Sequence, residues 1–231
     1  ENPISSEMTH LRPDLLPGLL AAAARNQARG FMDLALFEVG PAFSGGEPGD
    51  QHLQATGLLV GAAAARDPHG SRRMIDVFDA KADAEAVLAA LGAPSRAQIS
   101  RKVAGWWHPG RSGAIGLGPN TMASFGEVHP RILHAMDVKG PAVAFTVLVA
   151  NVPAPKVKTP TRPALAISDL QAVDRDFAFV VDARVEALTA VNAAQGADKA
   201  LIETVRVFDQ FTGDKAEAQM GPGKKSIALT V

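Results

Sequence analysis

A helix followed by a strand, between residues 14 and 43, is the feature that most constrains how this chain can fold. Asp14 is a residue type that caps helices, Pro17 falls in a first turn where its missing N–H costs no hydrogen bond, and Gly30 suits a left-handed position after the last turn. Apolar residues recur between them at helical spacing: Leu15, Leu16, Leu19, Leu20, Ala23 and Ala24. This pattern predicts one helix over residues 14 to 29.

Apolar runs further along predict the strands of a sheet. The run from Leu34 to Val39 is short and is closed by Gly40 and Pro41, so it predicts a buried strand. Two longer runs, LQATGLLVGAAAA after Gln51 and PAVAFTVLVAN before the first proline-rich stretch, predict central strands.

The region between these two central strands contains sequence patterns of both strands and helices. Alternating Ile75, Val77 and Phe78 predict a short strand, and apolar spacing from Ala84 onward predicts a helix that Gly92 ends. Further on, VAGWW, GAIGLG and MASFGEV predict three short strands joined by tight, glycine-containing turns, and Pro130 suits the first turn of another helix.

Four prolines, at positions 153, 155, 160 and 163, divide the chain. Such a segment is extended and cannot join a helix or a central strand. We therefore predict a domain at 1–151, a linker at 152–165 and a second domain at 166–231. In that second domain we expect a strand around residues 177–181, a helix from 185, a strand within 201–211 and a strand from 226. The chain would end inside that last strand, leaving an open edge. This β-α-β-β order is the first part of a ferredoxin-like unit.

Composition limits the function. The 231 residues contain no cysteine, which excludes disulfides and cysteine-ligated zinc. A formal charge of −1 excludes a global basic field for nucleic acid, so any such binding requires a local patch. No apolar run is long enough to span a bilayer and no signal segment opens the chain, which favours a cytoplasmic protein with no membrane partner.

The tempting catalytic and metal motifs are incomplete. Gly110 and Ser112 begin a serine hydrolase elbow, but Ala114 replaces its last glycine. The residues around Gly223 do not complete a phosphate loop, and His129 and His134 are badly spaced for two metal ligands on a helix. We therefore predict no catalytic and no metal-ligating residue in this chain.

Five short sequence motifs occur in the order and spacing that they have in one protein family: NPISSE, LRPDLLPGLL, LFEVG, HPGRS and GEVHP. They resemble the core of bacterial phenylalanyl-tRNA synthetase beta subunits, in the C-terminal part of that subunit. The resemblance implies a class II synthetase-like antiparallel sheet with helices, hence an α+β fold. It also implies upstream modules, including an editing module, before Glu1.

The resemblance also implies a partner and a division of labour. In the family the helix containing Leu15, Leu16, Leu19, Leu20 and Ala23 helps to build the interface with the alpha subunit, within a heterotetramer. Pro41 stands where family members usually carry Arg, and GEVHP is not a nucleotide-binding Gly-rich word. ATP and magnesium are thus implied for the whole enzyme, with neither bound by this chain, and the active site is implied to lie in the alpha subunit.

The last domain carries a second resemblance. RDFAFVVD from Arg175, VFD at 207–209, Gly213 and GKKS at 223–226 resemble the ferredoxin-fold anticodon-binding domain of the same subunit. It implies contact with tRNA(Phe) but not DNA, and we name Arg175, Lys224, Lys225 and Ser226 as candidate contacts. Two structural alternatives stay open: an Arg175–Asp176 ion pair at the strand entry, and a solvated lysine pair that protects a sheet edge.

Three functional hypotheses result. The first is a noncatalytic part of a tRNA ligase subunit, which provides assembly and tRNA contact. The second is a free-standing RNA-binding or scaffold protein that reuses both domains without aminoacylation. The third is an unrelated α/β hydrolase that uses Ser112.

Overall fold

The computed structural model describes residues 6, 9–64, 67–94, 97–154, 164 and 168–231. The chain forms two compact units, Glu1–Pro160 and Thr161–Val231. Most of the predicted linker at 152–165 and most of the NPISSE word lie outside the described residues.

The first unit is built on a six-stranded antiparallel sheet in the order β1-β2-β6-β5-β4-β3. Its elements are α1 (Leu16–Gln27), β1 (Leu34–Phe43), β2 (Gln51–Val60), α2 (Val77–Ala90), β3 (Gln98–Ser100), β4 (Trp107–Leu117), β5 (Asn120–Val128), α3 (Pro130–Ala135) and β6 (Ala142–Leu148). β2 and β6 are interior strands, as predicted.

Helix α1 is shorter than predicted at both ends. Asp14 lies just outside it, and its Oδ1 accepts a 2.8 Å hydrogen bond from the backbone N–H of Leu16. Pro17 occupies the first turn, and Gly30 has a positive φ of 94° after the helix has ended. The predicted start and stop residues therefore flank the helix, Asp14 two residues before its first residue and Gly30 three residues after its last.

Strand β1 is an edge strand, so the prediction of a buried strand was wrong. It continues through Gly40 and Pro41 to Phe43, with exposed and half-buried residues alternating along its first half. Phe37 is 80 % exposed and Val39 is 59 % exposed. Pro41 is tolerated because an edge strand leaves one row of backbone groups unpaired.

Both faces of this sheet carry apolar cores. On one face α1 packs through its leucines against Leu58 and Val60 of β2, together with Trp107 and residues of α3. On the other face α2 packs through Ala80, Ala84 and Leu88 against Phe145 and its neighbours. Between the strands, the buried hydroxyl of Thr56 donates to that of Thr146 at 3.2 Å. The unit is therefore a sheet between two helical layers.

Helix α2 begins where a strand was predicted. Asp76 is the N-cap and its side chain accepts from the Phe78 N–H, while the Asp79 side chain accepts from the Asp76 N–H, which completes a capping box. Val77 and Phe78 therefore belong to the first helical turn. Gly92, with φ 75°, follows the helix as predicted.

The predicted trio of short strands is instead one long hairpin. Only Trp107 of the VAGWW word is in a strand, and β4 runs without interruption from there through Gly113 and Gly116. β5 returns after a turn at Gly118, whose φ of 58° favours glycine. Helix α3 begins at Pro130, as predicted.

The second unit has a three-stranded antiparallel sheet in the order β7-β9-β8. Its elements are β7 (Asp176–Asp182), α4 (Ala187–Ala197), β8 (Arg206–Phe211), α5 (Asp214–Met220) and β9 (Lys224–Thr230). The predicted β-α-β-β order was wrong, because α5 lies between the last two strands. The third strand nevertheless inserts between the first two, as in the first part of a ferredoxin-like unit.

Candidate subunit and RNA-binding surfaces

The residues predicted for a subunit interface belong to the core of this chain. Leu15, Leu16, Leu19, Leu20 and Ala23 are each at most 6 % exposed. Their apolar stripe is directed at the chain's own sheet. Their role at an interface with another subunit stays a prediction, and any such role is indirect, through the position that these residues give α1.

The outward side of α1 is smooth and carries one charge in its last turn. Pro17, Gly18 and Arg25 are exposed there, and Ala21 and Ala22 are partly exposed. Small side chains allow another backbone to approach closely. This side, and not the leucine stripe, is the accessible surface of α1.

Arg12 holds the segment before α1 against the edge strand. Its Nε donates to the Pro41 carbonyl at 2.9 Å, and its guanidinium forms an ion pair with Glu38. The Phe43 N–H also donates to the Arg12 carbonyl at 2.9 Å. Pro41 thus contributes only its backbone carbonyl to this contact.

The half-buried carboxylate of Asp14, before α1, differs from the carboxylates of Asp33 and Asp79. Burial raises the pKa of Asp14, against the opposing effect of the Leu16 N–H. By contrast, a hydrogen bond from Arg73 lowers the pKa of Asp79, and the Ala62 N–H, ahead of Arg72, lowers that of Asp33. The last two carboxylates are therefore firmly ionised structural partners.

The HPGRS segment does not form a hydrolase site. Ser112 lies inside β4, and its hydroxyl donates to the backbone carbonyl of His108 at 2.6 Å. The His108 ring instead accepts from the Gly110 N–H at 3.1 Å. A nucleophile elbow needs a strand-to-helix turn and a histidine on the serine hydroxyl, and neither occurs at Ser112.

The histidine pair has a structural explanation in part. His129 precedes α3, and its Nδ1 accepts from the Arg131 N–H at 3.1 Å. Within the residues that the structure describes, no group of three or more His, Cys, Asp or Glu side chains is placed to hold a metal ion.

The RNA-binding candidates fall on two faces of the second sheet. Residues paired across antiparallel strands share a face, and successive residues alternate. Lys224 and Ser226 lie with Asp182 and Val180 on one face, which we call the outer face. Arg175 and Lys225 lie with Ile227 on the other, the inner face, where Ile227 and Leu229 are fully buried.

On the outer face Lys224 is already paired. Its Nζ donates to Asp182 Oδ1 at 2.9 Å, which lowers the pKa of that carboxyl. Ser226 is half-buried in the middle of the sheet, opposite Val180. The register also places Arg206 on this face, opposite Thr230. Sequence reasoning missed Arg206, because its face depends on a pairing partner that the sequence does not specify.

On the inner face Lys225 is only 8 % exposed, so its stem packs into the small core of this unit. Arg175 pairs its backbone with Val231, and its guanidinium donates to the Asp174 carbonyl at 3.1 Å. The neighbouring Asp176 carboxylate accepts from the Thr230 hydroxyl at 2.7 Å. The Arg175 guanidinium thus bonds to Asp174, and the Asp176 carboxylate bonds to Thr230. These contacts argue against the alternative of an Arg175–Asp176 ion pair.

The charges on the outer face nearly balance. Two cations, Lys224 and Arg206, lie among Asp176, Asp182 and Asp209. Phosphate contact dominates most nucleic-acid affinity. This face therefore has no excess of positive charge with which to hold phosphate groups.

The family models match both units in chain order. Residues 1–148 match the phenylalanyl-tRNA synthetase beta chain CLM domain, and residues 168–231 match the ferredoxin-fold anticodon-binding domain. The chain belongs to the phenylalanyl-tRNA synthetase beta chain family. The resemblance noted in the sequence is thereby confirmed, and so is the ferredoxin-type fold of the second unit.

Curated relatives agree over the whole chain. It is 84 % identical to the phenylalanine–tRNA ligase beta subunit of Cereibacter sphaeroides, 68 % identical to that of Ruegeria pomeroyi and 51 % identical to that of Rhodospirillum rubrum. Each match covers all of this chain but only 28–29 % of the relative. The chain thus spans less than a third of the length of these relatives.

Among solved structures, a pyrrolysyl-tRNA synthetase from Desulfitobacterium hafniense is similar over 60 % of this chain and 47 % of its own. The TM-score is 0.44 and the identity 15 %, a likeness too weak to extend the assignment. None of the helices in the described part of the chain is long and apolar enough to cross a membrane.

Proposed function

We propose that this chain is a noncatalytic part of phenylalanine–tRNA ligase that supports assembly with the alpha subunit and contact with tRNA(Phe). The observation that carries the proposal is the pair of family matches, which cover both units in one order. ATP-dependent aminoacylation would occur in the alpha subunit, in a cytoplasmic heterotetramer.

We propose that the first unit binds no ATP and activates no amino acid. A class II synthetase needs cations to hold the ATP phosphates. Pro41 supports the proposal because it cannot provide one, and Arg12 beside it is occupied by Glu38 and the Pro41 carbonyl. ATP and magnesium would act in the whole enzyme and not on this chain.

For tRNA, the proposed contact surface is the outer face of the second unit. Lys224 and Ser226 lie on it, and Arg206 joins them. Arg175 and Lys225 stay predictions from the resemblance, since they lie on the inner face.

The proposal is tested with purified components. The chain should co-purify with the alpha subunit of the Cereibacter sphaeroides enzyme, whose beta subunit is 84 % identical. Without the alpha subunit it should give no phenylalanine-dependent pyrophosphate exchange. Failure to co-purify would favour the free-standing alternative, and exchange by the chain alone would refute the noncatalytic role.

Surface variants are needed for the interface itself. Leu16→Asp and Leu20→Asp would bury a carboxylate within this chain, so they would unfold the first unit before they tested a partner. Arg25→Glu changes an exposed side chain of α1 and leaves the core intact. Reduced co-purification of Arg25→Glu would support contact through the outward side of α1.

A further inference from the structure

The first unit contains a basic stretch that the proposed function has not used. Between Ala97 and Met136 the sequence has four basic residues, at positions 101, 102, 111 and 131, and one acidic residue, Glu127. The chain as a whole carries a formal charge of −1. Positive charge is therefore in local excess here, which is what a nearly neutral chain needs in order to bind nucleic acid.

The acidic residue of this stretch is paired within it, at a bulge in the β4–β5 hairpin. Between two paired positions of these strands, four residues of β4 (108–111) lie opposite a single residue of β5, Glu127. Arg111 forms an ion pair with Glu127 there. The Glu127 carboxylate is thereby occupied and does not offset the charge of Lys102 or Arg131.

Local hydrogen bonds hold the bulge in one conformation. The His108 ring accepts from the Gly110 N–H at 3.1 Å, and the Ser112 hydroxyl donates to the His108 carbonyl at 2.6 Å. Gly126 lets the two strands approach closely, since a Cβ at this position would lie 2.4 Å from that of Ser112. The bulge therefore presents Arg111 on a pre-organised backbone, which lowers the entropic cost of binding a partner.

The two tryptophans beside the bulge have opposite environments. Trp107 is 3 % exposed and belongs to the core that α1 covers. Trp106 is 44 % exposed, in a turn that the Trp107 N–H closes on the Ala104 carbonyl at 3.2 Å. The Trp106 carbonyl also accepts from the His129 N–H at 2.9 Å, which fixes Trp106 next to the start of α3. An exposed indole on a fixed backbone is a flat surface on which a base can stack.

The loop before Trp106 and the first turn of α3 provide the surrounding cations. Arg101 and Lys102 are exposed in the loop that joins β3 to β4. Arg131 is exposed in α3, two residues after the amide that contacts Trp106. Helix α1, which packs on the same core, contains no acidic residue. We call these residues, together with Arg111, the Trp106 surface.

We propose that the Trp106 surface is a second RNA contact, in which Lys102 and Arg131 contact phosphate groups and Trp106 stacks on an unpaired base. This inference rests on the proposed function for the identity of the RNA, tRNA(Phe), and adds a contact on the first unit to the one on the second. RNA presents phosphates and flat bases together, whereas an acidic protein segment presents charge alone. An exposed tryptophan among cations therefore favours RNA.

The test measures binding of the full chain to a tRNA(Phe) transcript at several salt concentrations. Trp106→Leu should weaken binding about fivefold or more, because a stacking contact is lost. Lys102→Ala and Arg131→Ala should each reduce the salt slope by about one, because each removes a phosphate contact. Stacking should also quench tryptophan emission when RNA is added, and Trp106→Leu should abolish that quench.

Two variants of α2, on the other face of the sheet, are the matched controls. Phe78→Leu removes an aromatic ring that is 70 % exposed, and Lys81→Ala removes a cation. Each should leave the affinity within about twofold and the salt slope unchanged. Thermal unfolding checks that all five variants are folded.

The outcomes separate the inference from the proposed function. If the unchanged chain binds the transcript and the variants of the Trp106 surface bind equally well with the same salt slope, the inference fails, although the proposed contact through the second unit survives. If the unchanged chain does not bind, the proposed tRNA contact fails and the inference with it. If these variants weaken binding to the alpha subunit and not to RNA, the surface is a protein interface and the inference is overturned.

Discussion

The two sheets of this chain are covered by hydrophobic cores of very different size. In the first unit, α1 and α2 cover opposite faces, and whole stretches of β2, β5 and β6 are buried. In the second, β7 is almost entirely exposed and α4 buries no residue fully. A three-stranded sheet becomes stable only through a packed face. The second unit therefore depends on a few side chains, chiefly Ile227 and Leu229 of its central strand.

The largest expected effect would come from Leu229→Ala in the second unit. Leu229 is fully buried, and such truncations cost about 2–5 kcal/mol. Because this unit has little other core, we expect its strand amides to lose hydrogen-exchange protection throughout. Both tryptophans lie in the first unit, so their unfolding transition should not move. Hydrogen-exchange protection that survives in β7 and β8 of this variant would contradict the contrast between the two units.

Leu20→Ala should cost the first unit a similar 2–5 kcal/mol in free energy of unfolding but leave it folded. The surrounding core of α1, β2 and Trp107 is large enough to keep the sheet together. Tryptophan fluorescence during denaturant unfolding measures the change. Leu188→Ala, on the partly exposed side of α4, is the control and should leave this transition in place. Complete unfolding by Leu20→Ala would show that the first unit is no more robust than the second.

A smaller effect contrasts two carboxylates, Asp14 in the first unit and Asp182 in the second. Burial raises the pKa of Asp14, so its contribution to stability is complete below the ordinary value of 3.8 and is lost as pH rises through the raised value. Asp14→Asn keeps an oxygen acceptor for the Leu16 N–H, so this variant should be at least as stable as the unchanged chain at pH 7. Asp14→Ala removes the cap and should cost about 1 kcal/mol.

Asp182 should show the opposite pH dependence. The hydrogen bond from Lys224 lowers its pKa, so its contribution is present above 3.8 and is lost as pH falls through the lowered value. Unfolding of the two asparagine variants from pH 3 to 7 checks both signs. Equal slopes for Asp14→Asn and Asp182→Asn would contradict the assignment.

The smallest effect concerns RNA. Asp182→Asn frees Lys224 and removes a negative charge from the outer face, so affinity for an anticodon-stem RNA should rise about two- to threefold. Lys224→Ala should lower affinity and reduce the salt slope by about one. Filter binding at several salt concentrations measures both. Lys225→Ala, on the inner face, should leave the slope unchanged, and a reduced slope would move the contact surface to that face.

The sequence predicted those elements whose signals are local. Asp14, Pro17 and Gly30 indicated α1, and long apolar runs indicated β2 and β6. Signals that depend on distant partners were misread. The apolar run of β1 resembles a buried strand because exposure is decided by whether a neighbour pairs on both sides, and nothing local to Phe37 records that.

The same limit applies to the candidate site. Helix α5 was missed because only Ala216 of its seven residues is buried, which leaves no apolar stripe to detect. Lys225 was predicted to contact tRNA, with a solvated sheet edge as the alternative, yet β9 is the central strand and Lys225 lies in its buried face. By contrast, the resemblance carried by several sequence motifs identified the family correctly, since it depends on many positions together.

The aromatic ring of Phe145 rests directly on Gly57 of the neighbouring strand, and Phe125 lies similarly over Gly113. A methyl group at either glycine would overlap the ring. Each glycine can therefore be replaced only if its facing ring is shortened as well, so these positions should vary in pairs among relatives. Single substitutions in engineered libraries should be depleted at all four.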